Sequence, residues 1–202
     1  MRKTNGREKG FSLVESVIVA AIMMIMMSLA ILQSFGSMES YRANAAMDIV
    51  LSQLRVARQL AISQRRNVAI TFNSATTPQS ITYTLVPNPG DAYIPAPVTV
   101  KIAPQISFTG VAGLPDTPML FGTCGGAYGV CIAGVSGGPP VMQFTSVGQF
   151  TDSTGVNTLN GTVFIAIANQ ISTARAVTIM GSTGRVRSYS YQGGSGTSAW
   201  TE

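Results

Sequence analysis

One carboxylate, Glu15, heads a stretch that carries no charge from Ser16 to Met38. A carboxylate at the apolar end of a membrane-length helix costs on the order of 2–3 kcal/mol unless it finds a partner. The ten residues that open the sequence, MRKTNGREKG, are polar and basic and end in glycine, and Phe11-Ser12-Leu13-Val14-Glu15 follows at once. A cut after Gly10 would remove the charges, keep the apolar helix and create a free amine on Phe11, one helical turn before Glu15. That amine, on the same chain or on a neighbour, is the natural partner for Glu15. Pairing with a neighbour would set the stagger between chains. The plain alternative is that Glu15 only snorkels to the membrane interface.

The other reactive residue types are few. Cys124 and Cys131 enclose Gly-Gly-Ala-Tyr-Gly-Val, which is not the spacing of a CxxC redox motif. Outside the cytoplasm such a pair forms a disulfide that closes a small glycine-rich loop; inside it they would be two thiols. The sequence contains no histidine, and its acidic residues beyond the helix are Asp91, Asp116, Asp152 and Glu202, all in loop or tail surroundings. No Ser-His-Asp set, metal cluster or P-loop can be assembled from these residues, and Gly122-Thr123-Cys124-Gly125-Gly126 is followed by no lysine. The expectation is a non-enzyme without cofactor or metal. Arg185 and Arg187 lie two apart and share one face of a strand, with Tyr189 and Tyr191 continuing the alternation. Two guanidiniums beside aromatic rings would make a small phosphate and stacking platform; two solvated arginines on an exposed strand are the alternative.

The elements that must hold these residues follow from composition and period. The chain has 202 residues, 46% hydrophobic and only 10% charged, against about 25% charged in an ordinary soluble domain. The uncharged run after Glu15 is long enough to cross a bilayer, at about 20 residues of 1.5 Å each. The plausible cut lies before the apolar stretch and not after it, unlike an ordinary secretory signal. The net charge of +5 falls to +2 without the leader, since four of the 13 basic and one of the 8 acidic residues lie there. By the positive-inside rule the leader stays cytoplasmic and everything after the helix lies across the membrane. Ala46, Ile49, Val50, Gln53, Leu54, Ala57, Leu60, Ala61 and Gln64 repeat at three and four, one face of a second, amphipathic helical half. Arg42, Arg55, Arg58 and Arg65 fall mostly elsewhere and read as a solvated face. With no proline from 11 to 77, one helix of about 50–55 residues and about 80 Å is expected, with Gly36 the favoured place for a bend.

From Asn67 onward the period drops to two. Alternating runs at 67–72, 80–86, 98–102, 105–108, 141–144, 162–167, 176–179 and 185–189 predict about eight short antiparallel strands in two packed sheets. The fold class is α+β: a long N-terminal helix packed on a C-terminal antiparallel β-domain. The Gly- and Pro-rich stretch from about 110 to 140 reads as a surface excursion, and 193–202 as a flexible tail.

Gly10-Phe11-Ser12-Leu13-Val14-Glu15, set between a basic leader and an apolar helix, resembles the prepilin peptidase site of type IV pilins and type II secretion pseudopilins. Gln64-Arg65-Arg66 running into Asn67-Val68-Ala69-Ile70-Thr71-Phe72, and Gly184-Arg185-Val186-Arg187, resemble the FimT/FimU-type minor pilins and the H pseudopilin. The resemblance covers 11–72 and 174–190, with no motif matched in 73–173. It implies a pilin-like fold, cleavage after Gly10, methylation of Phe11 and an assembly role for Glu15. It implies the segments 1–10 (leader), 11–37 (transmembrane and filament-core helix), 38–66 (amphipathic half), 67–192 (β-rich domain) and 193–202 (tail). The implied partners are other pilins or pseudopilins, the prepilin peptidase and the inner-membrane assembly platform. The implied place is the bacterial inner membrane, with the C-terminal domain in the periplasm, and then a pilus or pseudopilus. The alternative job within the same scaffold is DNA binding for uptake, through Arg185 and Arg187 after Gly184.

Overall fold

The computed structural model describes residues 12–91, 95–122, 129–132 and 141–202, apart from the side chains of 32–37. The chain divides into two compact units, Met1–Met38 and Glu39–Glu202. Helix α1 (Leu13–Gln64, 52 residues) accounts for nearly all the described first unit and opens the second. In the first unit Leu13–Ile31, 19 residues of mean hydropathy 2.3, is long and apolar enough to cross a membrane. Its large apolar side chains are exposed. Ser28 donates its hydroxyl to the Ile25 carbonyl at 2.7 Å, so this polar group is satisfied within the helix.

In the second unit the helical half buries a stripe of Ala43, Ala46, Val50, Leu54, Ala57 and Ala61, each 1% exposed or less. The spacing of three and four places them on one face. Four of the six are alanines, which lets the sheets approach the helix backbone closely. Ile49 and Leu60, expected on the same face, are only partly buried, and Gln64 is exposed.

The helix ends in a Schellman motif. Arg66 N donates to Ala61 O at 3.1 Å and Arg65 N to Ile62 O at 3.3 Å, with Arg65 at φ +51. This left-handed position is normally glycine, because a Cβ there costs roughly 1 kcal/mol. Arg65→Gly should therefore stabilise the chain by about 1 kcal/mol, read as a raised unfolding midpoint. Arg66 turns inward, donating to the Val86 carbonyl at 2.8 Å and pairing with Asp91.

Eleven strands follow among the described residues: β1 (Val68–Asn73), β2 (Ser80–Leu85), β3 (Val98–Lys101), β4 (Ile106–Phe108), β5 (Val130–Ile132), β6 (Met142–Phe144), β7 (Phe150–Asp152), β8 (Gly161–Ile167), β9 (Arg175–Met180), β10 (Arg185–Tyr191) and β11 (Trp200–Thr201). One sheet has the order β3-β2-β1-β6-β7 and the other β11-β10-β9-β8-β4, with β5 also pairing with β8. All pairings are antiparallel, with Phe72 opposite Ile81 and Val163 opposite Val177. The eight period-two runs correspond to eight of these strands. β5, β7 and β11, of two or three residues each, correspond to none of those runs.

The main core joins the helix stripe to both sheets. Phe72 meets Phe108 edge-on at 5.3 Å, and Phe144 tilts against Phe150 at 5.2 Å. A second cluster covers the other face of the second sheet: Phe164, Ala166, Ala176, Tyr189, Ala199 and Trp200, with Val111, Leu114 and Met119 packed on them. Two expectations are corrected here. The tail 193–202 is not a flexible tail: Trp200 is 5% exposed, its Nε1 donates to Pro115 O at 3.2 Å, and β11 pairs with β10. The glycine-serine run turns the chain back so that a large ring can be buried. Likewise, the excursion from 110 is not wholly a surface feature, since Val111, Leu114 and Met119 lie on the second core and Thr117 is fully buried. Residues 123–128 and 133–140 lie outside the described residues.

Two polar groups brace the β-domain. Arg175, nearly buried, reaches the helix through Nε to Asn44 Oδ1 at 2.6 Å and donates to Ala174 O at 2.8 Å. Burial lowers its pKa from the usual arginine value. At the end of β7, Asp152 accepts from the Thr154 hydroxyl at 2.6 Å, Asn157 Nδ2 at 2.7 Å and Thr154 N at 3.1 Å. The Thr154 hydroxyl first and the Asn157 amide second lower its pKa from 3.8 to about 2. Because the folded value is depressed, its contribution is complete above pH 3.8 and is lost as pH falls through about 2. Asp152→Asn should therefore flatten the decline of the unfolding midpoint between those two pH values, measured by a pH series of thermal melts.

Candidate functional site

The sequence places its chemistry at two ends of the chain. Gly10 and Phe11 lie outside the described residues. Glu15 sits in the first turn of α1, where the helix dipole favours a carboxylate by about 0.3–1 kcal/mol. Its side chain is exposed and makes no hydrogen bond or ion pair among the described residues. Beyond that dipole, no side chain among the described residues offsets the cost of a carboxylate at the head of the apolar span.

Cys131 lies on β5 opposite Thr162. No cysteine is free among the described residues, and Cys124 lies outside them. Likewise no group of three or more His, Cys, Asp or Glu side chains among the described residues is placed to hold a metal ion.

Arg185 and Arg187 stand on β10 as their spacing requires, opposite Met180 and Thr178 of β9. Arg185 is exposed. Arg187 is half-buried and pairs with Glu202 at 3.1 Å. The Tyr189 hydroxyl beside it, aided by the Glu202 carboxylate, raises its pKa above the usual arginine value, so it stays charged. The expected stacking platform is corrected. Tyr189 and Tyr191 share the arginines' face, but Tyr189 is 3% exposed within the second core. Tyr191 packs edge-on against Trp200 at 5.4 Å and donates its hydroxyl to Gly194 O at 3.0 Å. The aromatic rings serve the fold and are not presented to a ligand.

The arginines of the helix also depart from a purely solvated face. Arg42 donates to Gln105 Oε1, and Arg58 Nε donates to Gly148 O at 3.2 Å. Arg58 stands beside Arg185 in a groove that no single motif announces, because its members come from the helix and from a distant hairpin.

Residues 5–31 match the model of the prokaryotic N-terminal methylation motif. The chain is therefore prepilin-like at its N-terminus: a methylation motif leading into an apolar helix of membrane-spanning length, as in a membrane-anchored pilin. Two crystal structures of the type IV minor pilin FimU of Pseudomonas aeruginosa are similar at 16% identity and a TM-score of 0.45. One match covers 72% of this chain and 90% of that one, the other 74% and 89%. No curated protein matches the chain in sequence.

Proposed function

We propose that this chain is a minor pilin or pseudopilin, a structural or priming subunit of a type IV pilus or a type II secretion pseudopilus, and not a catalyst. The observation that carries the reading is the match of residues 5–31 to the methylation motif, joined to a Glu15 without a partner among the described residues at the head of a helix of membrane-spanning length. Prepilin peptidase cuts after Gly10 and the new Phe11 amine is methylated. Residues 11–37 hold the chain in the inner membrane and then in the filament core. The amphipathic half 38–66 carries the β-rich domain from residue 67 onward into the periplasm. The assembly platform extracts the subunit, and Glu15 compensates the Phe11 amine of a neighbouring pilin. The Cys124–Cys131 disulfide closes its loop in that oxidising compartment.

Processing is the direct test. Intact-mass analysis of chain recovered from cells with the peptidase should show a product beginning at Phe11 with one added methyl group, and Gly10→Val should retain the leader. An unshortened wild-type chain in those cells would overturn the reading.

A second reading, DNA binding during uptake through Gly184, Arg185 and Arg187, has the exposed Arg185 in its favour. Against it stand the engagement of Arg187 by Glu202, the burial of Tyr189 and the packing of half-buried Tyr191 against Trp200. Two free cations would bind DNA weakly and lose it steeply with salt. Gel retardation at low and moderate salt, with Arg185→Ala and Arg187→Ala, decides it: binding that is salt-sensitive and lost in both variants supports uptake.

A further inference from the structure

Between the helical half of α1 and the turn joining β9 to β10 lies a groove of about 640 Å³, whose lining includes Arg55, Arg58, Thr183, Arg185, Met180 and Val186. Among the described residues no carboxylate lines it. The two ion pairs among the described residues, Arg66–Asp91 and Arg187–Glu202, use none of its three guanidiniums. Arg55 and Arg58 are three apart on one helix, a like-charge pair that costs a few tenths of a kcal/mol until an anion relieves it.

One of the three is fixed in advance. Arg58 Nε is held by Gly148 O at 3.2 Å, at the point where two glycine turns meet. At Gly184, φ +62, a Cβ would come within 1.9 Å of Gly148 O and 2.8 Å of Arg58 Nε. Only glycine lets the two turns close around this guanidinium. A charged fork held in place before binding loses little freedom when it takes an oxyanion.

The surroundings choose between anions. A nucleic-acid strand needs a run of cations along its phosphates and rings on which bases can stack. Here the next cation along β10, Arg187, is already paired, and Tyr189 and Trp200 are buried. Three charges beside the Met180 and Val186 side chains instead suit a short protein segment that carries a carboxylate next to small aliphatic groups.

We infer that this groove docks an acidic segment of another protein subunit, with the carboxylate taken by Arg55, Arg58 and Arg185. Only the partner's identity as a filament subunit rests on the function proposed above. The test uses the full chain in zwitterionic detergent and fluorescence anisotropy with three labelled probes: a short peptide of glutamate and alanine, its glutamine counterpart, and a single-stranded oligothymidine. The glutamate peptide should bind at least about ten-fold more tightly than the glutamine one, a difference of about 1.4 kcal/mol. The double variant Arg55→Glu with Arg185→Glu should lose a similar factor, and both positions are exposed, so the fold is retained. Arg187→Ala should leave binding unchanged. Equal affinity for the two peptides, no peptide binding, or oligothymidine binding that the double variant alone abolishes would each overturn the proposal. None of these outcomes touches the subunit reading, which stands or falls on processing and incorporation.

Discussion

On the proposed function, replacing Glu15 with alanine is expected to leave cleavage and methylation unchanged while the chain's share of pelleted filaments falls by about a hundred-fold or more. The expectation comes from comparing magnitudes. In the bilayer the carboxylate costs on the order of 2–3 kcal/mol. The helix dipole at the first turn returns about 0.3–1 kcal/mol of that, and no side chain among the described residues returns the rest. In the assembly proposed above, moving Glu15 beside the Phe11 ammonium of a neighbour would relieve the difference, so the acid itself would favour leaving the membrane for the filament. Alanine removes this drive twice. The free subunit becomes more comfortable in lipid, and the assembled filament holds an ammonium without a counter-charge. Breaking a buried ion pair from one side costs about 3–5 kcal/mol, which is about two to three and a half powers of ten in an equilibrium.

Two further variants locate the effect. Glu15→Gln keeps the size and removes the charge, so it should resemble alanine. Glu15→Asp keeps the charge on a shorter arm and should fall between. The measurement is the ratio of the chain in sheared, pelleted filaments to that in membranes, alongside intact mass to show that processing is unchanged. Unchanged incorporation of the alanine variant would mean that Glu15 only snorkels to the interface.

The parts of this structure legible in the sequence are those governed by periodicity over many residues. The helix stripe from Ala43 to Ala61 repeats often enough to be read without coordinates, and so do β1, β2 and β10. The second sheet was legible as strands but not as a sheet buried on both faces. Its sign is that Val163, Phe164, Ile165 and Ala166 are all buried in succession, where a half-exposed strand would alternate. That continuous run was the available clue that something covers the outer face. The cover comes from short pieces without a period, Val111, Leu114, Met119 and Trp200, and local composition disguised each as loop or tail. The candidate site divides in the same way. Glu15 and the leader are local, so residue order alone exposes them. The Arg58–Arg185 groove depends on two glycine turns meeting, a tertiary fact with no one-dimensional trace.

The second large effect is expected at the other end of the chain. Trp200→Ala should destabilise the Glu39–Glu202 unit by about 3–5 kcal/mol, the usual cost of emptying a buried aromatic site. The ring packs on Phe164 at 6.0 Å and on Tyr191 at 5.4 Å, and its Nε1 holds Pro115 O at 3.2 Å. Alanine would open a cavity against the outer face of the second sheet and free the segment around Pro115 that the indole ties down. Trp200→Phe keeps most of the ring contact and loses one hydrogen bond, so its cost should be nearer 1 kcal/mol. For a unit of this size each kcal/mol moves the midpoint by about 2–4 °C, so the alanine variant should melt roughly 10 °C lower. Limited proteolysis separates a local from a global effect: with alanine, new cuts should appear first within residues 111–122, whose apolar side chains rest on the same cluster. A loss below about 1 kcal/mol for Trp200→Ala would mean that the C-terminal strand contributes little in solution, and that Phe164 and Tyr189 hold the outer core without it.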